Sequence, residues 1–316
     1  MRATHGKCEI ERSCYFRASF TDEAIDAGDR NRLRRPIPTF ATVPAVPSST
    51  PWTGRIGLFD SGVGGLSILP ALRERVPAAG IHYVADSAHA PYGELSDAAI
   101  RLRAGRIAQH LVDQGAQVVV VACNTATAMA VDELRNRFAQ LPIVGIEPGL
   151  RPALARTRNG RVGVMATTAT LRSARFRALL EREASGQSVH LQACTGLAAA
   201  IEQGDLDDPH LAGVIEQHCG ALRAAGVDTV ALGCTHYPFA RAAIERALGP
   251  SIAVIDTAQA VAAQVARVCE TTTAVPSPGR APACLLQTTG DAALLQRFAA
   301  RWLAIDADIT AAPAGL

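Results

Sequence analysis

Residues 118–126 read VVVVACNTA and residues 229–238 read TVALGCTHYP, so one pattern occurs twice in the chain. In each copy a short apolar run leads to a cysteine, and hydrogen-bonding residues follow it. Such a run, rich in β-branched residues, is typical of a strand buried on both faces of a parallel sheet. We therefore expect Cys123 and Cys234 at the carboxyl ends of two strands. Ligands of open α/β sheets bind at that edge, and a helix N-terminus there favours thiolate over thiol.

The similarity extends beyond the two cysteines, which lie 111 residues apart. Residues 55–59 resemble residues 161–165, and residues 142–147 resemble residues 251–256, at nearly the same offset. Two copies of about a hundred residues are too few for a solenoid and favour two similar α/β modules. We predict an α/β fold of two pseudo-symmetric domains with mainly parallel sheets and the active site in the cleft between them. One thiol on each wall of this cleft suggests chemistry on both faces of one atom.

The composition excludes several classes of protein. With 316 residues, 48% of them hydrophobic, the chain is long enough for a large core and two domains. Its only lysine is Lys7, before the first predicted strand, whereas pyridoxal phosphate enzymes need a lysine for the Schiff base. The apolar runs are too short to span a bilayer, and no signal peptide is visible. Eight scattered cysteines without a C-x-x-C pair favour a reducing, cytoplasmic setting over a disulfide scaffold.

The two ends of the chain differ from its centre. Residues 1–53 predict a disordered N-terminal extension, or a start codon assigned too early, rather than a nucleic-acid arm. Residues 1–50 contain eight basic and six acidic residues, which account for the whole formal net charge of +2. Because the charges of the remaining chain balance, we expect no direct nucleic-acid binding. Residues 304–316 are predicted to form a C-terminal tail.

A glycine-rich turn follows the first predicted strand, where residues 60–67 read DSGVGGLS. Free backbone N–H groups in a turn between a strand and a helix can bind an anion. The pattern is, however, neither G-x-G-x-x-G nor a Walker A loop. Asp60 is either a helix N-cap or a carboxylate at the catalytic edge of the sheet. The second copy has Ala166 at the equivalent position, so the two modules are not equivalent.

Polar residues near the other predicted strand ends allow two interpretations each. Tyr92 lies in a loop at the same sheet edge, as a packing aromatic or as a binding residue. His236 forms a Cys-x-His pair with Cys234, but structural zinc usually needs four ligands and no others are near in sequence. We therefore predict no metal site. Cys194 and Cys219 are interpreted as small buried hydrophobic residues.

Six stretches resemble the glutamate racemases, which belong to the cofactor-independent aspartate/glutamate racemase superfamily. They are FDSGVGG at residues 59–65, DSAHAPYG at 86–93, ACNTA at 122–126, GIEP at 145–148, LGCTHYP at 232–238 and TTGD at 288–291. The resemblance covers residues 54–303, and the N-terminal extension departs from the family. It implies an isomerase that interconverts L-glutamate and D-glutamate without a cofactor and supplies D-glutamate for peptidoglycan cell-wall biosynthesis.

The resemblance also implies roles for individual residues. The catalytic cysteines match Cys123 and Cys234, and the auxiliary acid–base residues match Asp60, Glu147 and His236. The substrate-contacting pairs match Asp60 and Ser61, Tyr92 and Gly93, Asn124 and Thr125, and Thr235 and His236. The family organisation implies a first domain of residues 54–150 plus 263–303 and a second domain of residues 151–262.

Racemisation gives a physical reason for two thiols. The α-proton leaves one face of the substrate and a proton returns to the other, which suits two opposed acid–base groups. A thiol with a reference pKa of about 8.5 needs only modest lowering to give thiolate at neutral pH. One cysteine must be thiolate while the other is thiol, and we expect Asp60 and His236 to set these states. Neutral donors would stabilise the developing carbanion; they are Ser61, Asn124, Thr125 and Thr235.

The sequence leaves other interpretations open. The nearest is a racemase for aspartate or another amino acid that uses the same two-cysteine plan. A non-catalytic two-domain protein that closes over an amino acid would need no paired thiols. A regulatory role is the third, because some members of the resembled family are reported to bind DNA gyrase. The sequence does not give the oligomeric state, and a homodimer is the hypothesis we carry forward.

Overall fold

The structure is a computed structural model that describes residues 51–184, 186–203, 205–275, 284–303 and 307–316. The extension predicted at residues 1–53 therefore lies outside the described residues, except for its last three positions. Residues 51–316 form one unit whose described part contains two β-sheets.

The strands follow the apolar runs seen in the sequence. In chain order they are β1 (Arg55–Asp60), β2 (Gly80–Ala85), β3 (Val118–Val121), β4 (Ile143–Gly145), β5 (Arg161–Ala166), β6 (Ser188–Ala193), β7 (Thr229–Gly233), β8 (Ala253–Ile255), β9 (Cys284–Thr288) and β10 (Asp308–Ala311). All four residues of β3 and all five of β7 are buried, as expected for central strands covered on both faces.

The first eight strands form two equivalent sets of four. The larger sheet has the order β10-β9-β2-β1-β3-β4, and the smaller sheet has the order β6-β5-β7-β8. All of these strand pairs are parallel. The same order of first, second, third and fourth strands in both sheets confirms the predicted fold class and the predicted repeat. We call the larger sheet with its adjoining loops module one, and the smaller sheet with its adjoining loops module two.

Helices connect the parallel strands. They are α1 (Leu69–Arg75), α2 (Asp97–Asp113), α3 (Asn124–Arg137), α4 (Leu150–Arg156), α5 (Thr168–Arg172), α6 (Ala174–Glu183), α7 (Leu197–Glu202), α8 (Pro209–Ala224), α9 (Arg241–Leu248), α10 (Ala258–Thr271) and α11 (Ala292–Trp302). Ser96 caps α2 by accepting a hydrogen bond from the backbone N–H of Ala99, as its place before the helix predicts. None of the helices in the described ranges is long and apolar enough to cross a membrane.

The segment expected as a C-terminal tail contains a strand. Within residues 304–316, β10 pairs with β9, and Asp308 lies opposite Leu285. This strand has four residues, and Ile309 is its single large apolar side chain. So short a pattern does not indicate a strand, and its pairing with the edge of the sheet was not predictable. The division into two domains at residues 150/151 and 262/263 stays a prediction.

The sheets place the predicted residues at their carboxyl edges. Asp60 ends β1 and lies opposite Ala85, the last residue of β2. Cys123 follows β3 in module one. Cys234 follows Gly233, the last residue of β7 in module two.

Candidate active site

Cys123 lies where the repeated pattern predicts, directly beyond β3 and at the start of α3. It is the N-cap residue of the helix, and its sulfur accepts a hydrogen bond from the backbone N–H of Ala126 at 3.5 Å. The buried thiol donates to Ser61 Oγ at 3.7 Å. A helix N-terminus therefore points at this sulfur, as the sequence predicts.

Cys234 occupies the equivalent position in module two. It follows β7, and a 3₁₀ turn at Tyr237–Ala240 comes shortly after it. Its sulfur lies 3.8 Å from Nδ1 of His236, and both side chains are buried. The Cys123 sulfur therefore contacts a backbone amide and a hydroxyl, whereas the Cys234 sulfur lies next to an imidazole.

Asp60 connects the two modules. It is fully buried, and its Oδ1 accepts hydrogen bonds from the backbone N–H and the hydroxyl of Ser61. Its Oδ2 accepts from Thr235 Oγ1 of module two at 2.9 Å. A methyl group added at Gly64 would overlap His236 and lie 2.6 Å from Asp60 Oδ2. The carboxylate and the imidazole thus pack around one glycine. Val63, and not Asp60, is the N-cap of the following 3₁₀ turn, and the role of Asp60 in the site stays a prediction.

Glu202 is a site residue that the sequence analysis missed. It ends α7 of module two, and its Oε2 lies 2.6 Å from Nε2 of His236. It also accepts hydrogen bonds from Ser87 Oγ at 2.9 Å and from the backbone N–H of Val63 at 3.0 Å, both in module one. Glu202 follows an apolar stretch, and an acidic residue at a helix end is no signal of a functional site.

The glycine-rich turn binds an anion, as predicted, but this anion is the carboxylate of Glu202. The donor is the backbone N–H of Val63. A methyl group added at Gly62 would overlap the same carboxylate, and one added at Gly65 would lie 2.8 Å from the ring of Tyr83. The glycines therefore allow side chains to approach the backbone of this turn closely.

Tyr92 and Gly93 form a turn beside the site. The Tyr92 hydroxyl donates to Asp86 Oδ2 at 2.6 Å, and Arg103 donates to both oxygens of the same carboxylate. Burial, together with the charge of Asp86, raises the pKa of Tyr92, so this hydroxyl stays protonated. A methyl group added at Gly93 would lie 3.3 Å from Thr167, which places the turn next to module two.

Asn124 and Thr125 form the first turn of α3 and are buried. Thr125 Oγ1 lies 3.0 Å from Thr167 Oγ1 and 3.3 Å from Thr170 Oγ1, which belong to module two. Asn124 Nδ2 is buried and has no hydrogen-bond partner among the described residues. This region therefore offers an unused donor and a cluster of three hydroxyls, of which the sequence analysis assigned only Thr125.

Glu147 is placed differently from the other predicted residues. Its side chain is 39% exposed, and its Oε1 accepts from Arg175 Nη2 of module two at 2.8 Å. Arg175 also pairs with Asp132 of α3 at 3.2 Å. The structure thus shows Glu147 in an ion pair between the modules, and its predicted acid–base role stays a prediction.

The charges around Cys123 favour the neutral thiol. Burial raises the pKa of Asp60, against the opposing effects of the His236 charge and the hydrogen bond from Thr235. Burial, and then the charge of Asp60, raises the pKa of Cys123 well above its usual value. An amide at 3.5 Å does not outweigh these two effects.

The surroundings of Cys234 contain a different pair of titratable groups, His236 and Glu202. Burial disfavours a charged imidazole, but the contacts with Cys234 and Glu202 raise the pKa of His236 well above its usual value. Burial also disfavours a charged Glu202, yet its hydrogen bond and its charge interaction with His236 lower its pKa. A charged imidazole held by Glu202 therefore lies beside the Cys234 sulfur.

The site is closed. Nine of the eleven predicted residues have at most 7% of their surface exposed: Asp60, Ser61, Tyr92, Cys123, Asn124, Thr125, Cys234, Thr235 and His236. Almost none of the surface of these side chains is open to solvent. The described residues contain no group of three or more His, Cys, Asp or Glu side chains that could hold a metal ion.

Known proteins resemble this chain in sequence and in fold. The family model for Asp/Glu/hydantoin racemases matches residues 60–265. A glutamate racemase from Pseudomonas paraeruginosa is 53% identical over 216 residues, which is 68% of this chain and 82% of the relative. The crystal structure of a glutamate racemase from Bacillus anthracis has a TM-score of 0.74 at 28% identity and covers 83% of this chain and 98% of its own. The Escherichia coli glutamate racemase, solved with L-glutamate and the activator UDP-MurNAc-Ala, has a TM-score of 0.72 at 26% identity over 81% of this chain and 99% of its own.

The matched region contains both sulfurs and their neighbours. The family model begins at Asp60, extends beyond His236, and includes all eleven predicted site residues. The two sheets and the parallel strand order agree with the two α/β domains of the solved relatives. The chain therefore belongs to the glutamate racemase family of isomerases, within the wider group of Asp/Glu/hydantoin racemases.

Proposed function

We propose that this protein interconverts L-glutamate and D-glutamate without a cofactor, with Cys123 and Cys234 as the two acid–base groups. One observation carries the proposal: two buried thiols lie at equivalent strand ends of two modules that meet through the hydrogen bond between Asp60 and Thr235. Glutamate as the substrate is supported by relatives about half identical to this chain, which are named glutamate racemases.

The proposed reaction moves two protons and leaves every other atom in place. In one direction the Cys234 thiolate removes the α-proton and becomes a thiol. The Cys123 thiol then gives its proton to the opposite face of the carbanion and becomes a thiolate. In the other direction the two cysteines exchange roles.

The proposed resting state has thiolate at Cys234 and thiol at Cys123. The charged His236, held by Glu202, supports the thiolate, and the neighbouring Asp60 carboxylate supports the thiol. Because the Asp60 carboxylate and the imidazole pack around Gly64, moving a proton between them changes the field at both sulfurs. This arrangement supports the expectation that Asp60 and His236 set the two proton states.

Neutral donors hold the substrate in this proposal. A carbanion without a pyridoxal sink depends on preorganised donors and on the exclusion of water. Ser61, Thr235 and the unused Nδ2 of Asn124 would bind the α-carboxylate, and the closed modules exclude water. The three hydroxyls of Thr125, Thr167 and Thr170 are the best candidates for the side-chain carboxylate, and the turn at residues 92–93 borders them.

The proposed product fits a role in the cell wall. D-glutamate made here would supply peptidoglycan synthesis in the cytoplasm, as the family resemblance implies. A homodimer and an interaction with DNA gyrase stay predictions. A pull-down of gyrase by the chain with and without residues 1–53 tests whether these residues contribute to that interaction.

The direct test is the purified full chain with L-glutamate in D2O, followed by optical rotation and by NMR of the α-position. We expect rotation to fall to zero while deuterium enters the α-position. Cys123→Ser and Cys234→Ser should each lower the rate of racemisation by about 10²–10⁴-fold. A Cys219→Ser variant is a matched control, because that thiol is buried and donates to the backbone oxygen of Ile244 at 4.0 Å.

The same experiment separates the alternatives. Exchange with L-aspartate but not with L-glutamate would replace glutamate as the substrate and keep the two-base scheme. Absence of exchange with both would leave the interpretation as an amino-acid binding protein, and tight binding of glutamate by calorimetry would support it.

A further inference from the structure

A buried tyrosine next to Cys234 has no role in the scheme above. Tyr237 has none of its surface exposed, and its backbone N–H donates to the carbonyl oxygen of Cys234 at 3.2 Å. Its hydroxyl is buried and makes no hydrogen bond of ordinary geometry with a described residue. An unpaired buried hydroxyl destabilises a protein unless some state of the molecule gives it an acceptor.

Tyr237 belongs to the same cluster of buried side chains as Cys194 and Cys234. Burial, and then its interactions with these two thiols, raise the pKa of its hydroxyl. The two cysteines follow the strands on either side of β5, since Ala193 of β6 and Gly233 of β7, which precede them, both lie opposite Ala166. Tyr237 therefore lies at the carboxyl edge of module two, with its backbone bonded to that of Cys234.

Cys194 is the poorer acceptor of the two. Its thiol donates to the backbone oxygen of Gln192 at 3.5 Å, and burial raises its pKa well above the usual value, so it stays a thiol. A thiol sulfur is a weak acceptor, whereas an ionised sulfur is a strong one. Burial also raises the pKa of Tyr237 well above its usual value, so the tyrosine keeps its proton and remains a donor.

We propose that Tyr237 stabilises the thiolate of Cys234 by donating its hydroxyl hydrogen to that sulfur, and that this hydrogen bond forms fully only when the sulfur is ionised. The proposal rests on the proposed function, in which Cys234 is the resting base. The sulfur would then have two donors, this hydroxyl and Nδ1 of His236 at 3.8 Å. Cys123 has the Ala126 amide and the unfavourable charge of Asp60 instead.

The test measures the two thiolates directly, without substrate. Iodoacetamide alkylates thiolates, so peptide mass spectrometry of Cys234 and Cys123, over a pH range that extends above the raised pKa of Cys123, gives a midpoint for each. We compare the unmodified protein with Tyr237→Phe. Tyr83→Phe is the matched control, because Tyr83 is equally buried and donates to the backbone oxygen of Gly62 in module one.

Tyr237→Phe should move the Cys234 midpoint upward by about one to two pH units, since a hydrogen bond to a charged group is lost. The Cys123 midpoint should not rise, and Tyr83→Phe should leave the Cys234 midpoint in place. An unchanged Cys234 midpoint in Tyr237→Phe would overturn the proposal. An equal rise at Cys123 would also overturn it, because the effect would then be a general loosening.

A second variant keeps the test decisive if Tyr237→Phe does not fold. Cys194→Ala removes the other sulfur and leaves the hydroxyl to Cys234, so the Cys234 midpoint should fall, and an unchanged or higher midpoint would contradict the proposal. Alkylation does not depend on turnover. A chain that shows the shift but does not racemise glutamate would therefore refute the proposed function and keep this assignment.

Discussion

The two strand ends that carry the cysteines have the same geometry and opposite electrostatics. Cys123 and Cys234 follow the third strand of the same four-strand order, and both are buried. At Cys123 the charge of the Asp60 carboxylate disfavours a thiolate. At Cys234 the imidazole of His236 lies 3.8 Å from the sulfur, and its other nitrogen faces Glu202.

The difference arises from single positions in the repeat. Module one ends its first strand in Asp60, and module two ends the equivalent strand in Ala166. Two residues after the cysteine, module two has His236 and module one has Thr125. Module one thus has a carboxylate near its cysteine and module two has an imidazole, so the repeat of the fold does not repeat the chemistry. A two-base racemase needs this inequality, because one sulfur must be ionised while the other carries a proton.

Removing either thiol should have the largest effect. Cys123→Ser and Cys234→Ser should each lower the rate of racemisation by about 10²–10⁴-fold, since one acid–base partner is lost. The remaining thiol can still remove a proton and return a deuteron to the same face. In D2O each variant should therefore exchange the α-proton of one enantiomer without inverting it.

The enantiomer that exchanges should differ between the two variants. Proton NMR of L-glutamate and D-glutamate, incubated separately, distinguishes the two outcomes. If both variants exchange the same enantiomer, the two sulfurs do not face opposite sides of the substrate. The two strand ends would then not act as opposed acid–base groups.

A single methyl group at the point where the two charged groups meet should have the next largest effect. In Gly64→Ala the added carbon overlaps His236 and lies 2.6 Å from Asp60 Oδ2. Displacing both groups should lower kcat/KM by about 100-fold. Gly213→Ala in α8 is the matched control, because its added carbon meets nothing within 4 Å. That variant should keep its activity and gain about 0.5–1 kcal/mol in the free energy of unfolding, measured by urea denaturation.

The sequence was sufficient for residues that its own pattern places at strand ends. Cys123, Cys234, Asp60 and His236 follow buried strands, and parallel pairing brings such ends to one edge. Glu202 was not predictable, because its partner Val63 lies 139 residues away and contacts it only through the packing of the modules. Thr167 and Thr170 were missed for the same reason. The motif around Glu147 was recognised, but its ion pair with Arg175 depends on the position of α6.

Glu202 allows a more selective change on the Cys234 side. Glu202→Gln keeps the size of the side chain and removes the charge that raises the pKa of His236. The imidazolium should then lose its proton at a lower pH, so the alkaline limb of the kcat/KM profile should move to lower pH. We expect a loss of about tenfold near neutral pH. Glu216→Gln, which removes an exposed partner of Arg223, should leave the profile unchanged, and an unchanged profile in Glu202→Gln would show that Glu202 does not act through the imidazole.

The smallest effect concerns stability and compares His236 with a second buried histidine. Burial lowers the pKa of His82 from 6.5 to about 4, although the hydrogen bond to Gln287 at 2.7 Å opposes the shift. A base with a lowered folded-state pKa gives stability that is complete above pH 6.5 and is lost as the pH falls toward 4. The free energy of unfolding should fall by about 1 kcal/mol between pH 7 and pH 5.5 from this group alone.

His236 acts with the opposite sign, because its pKa is raised and its contribution is lost only as the pH rises through that higher value. Urea denaturation of His82→Gln, which keeps a donor for Gln287, should therefore show a weaker loss of stability on acidification than the unmodified chain. An equal loss in both would mean that His82 has its usual pKa in the folded protein. The pKa of His82 and that of His236 would then not be shifted in opposite directions.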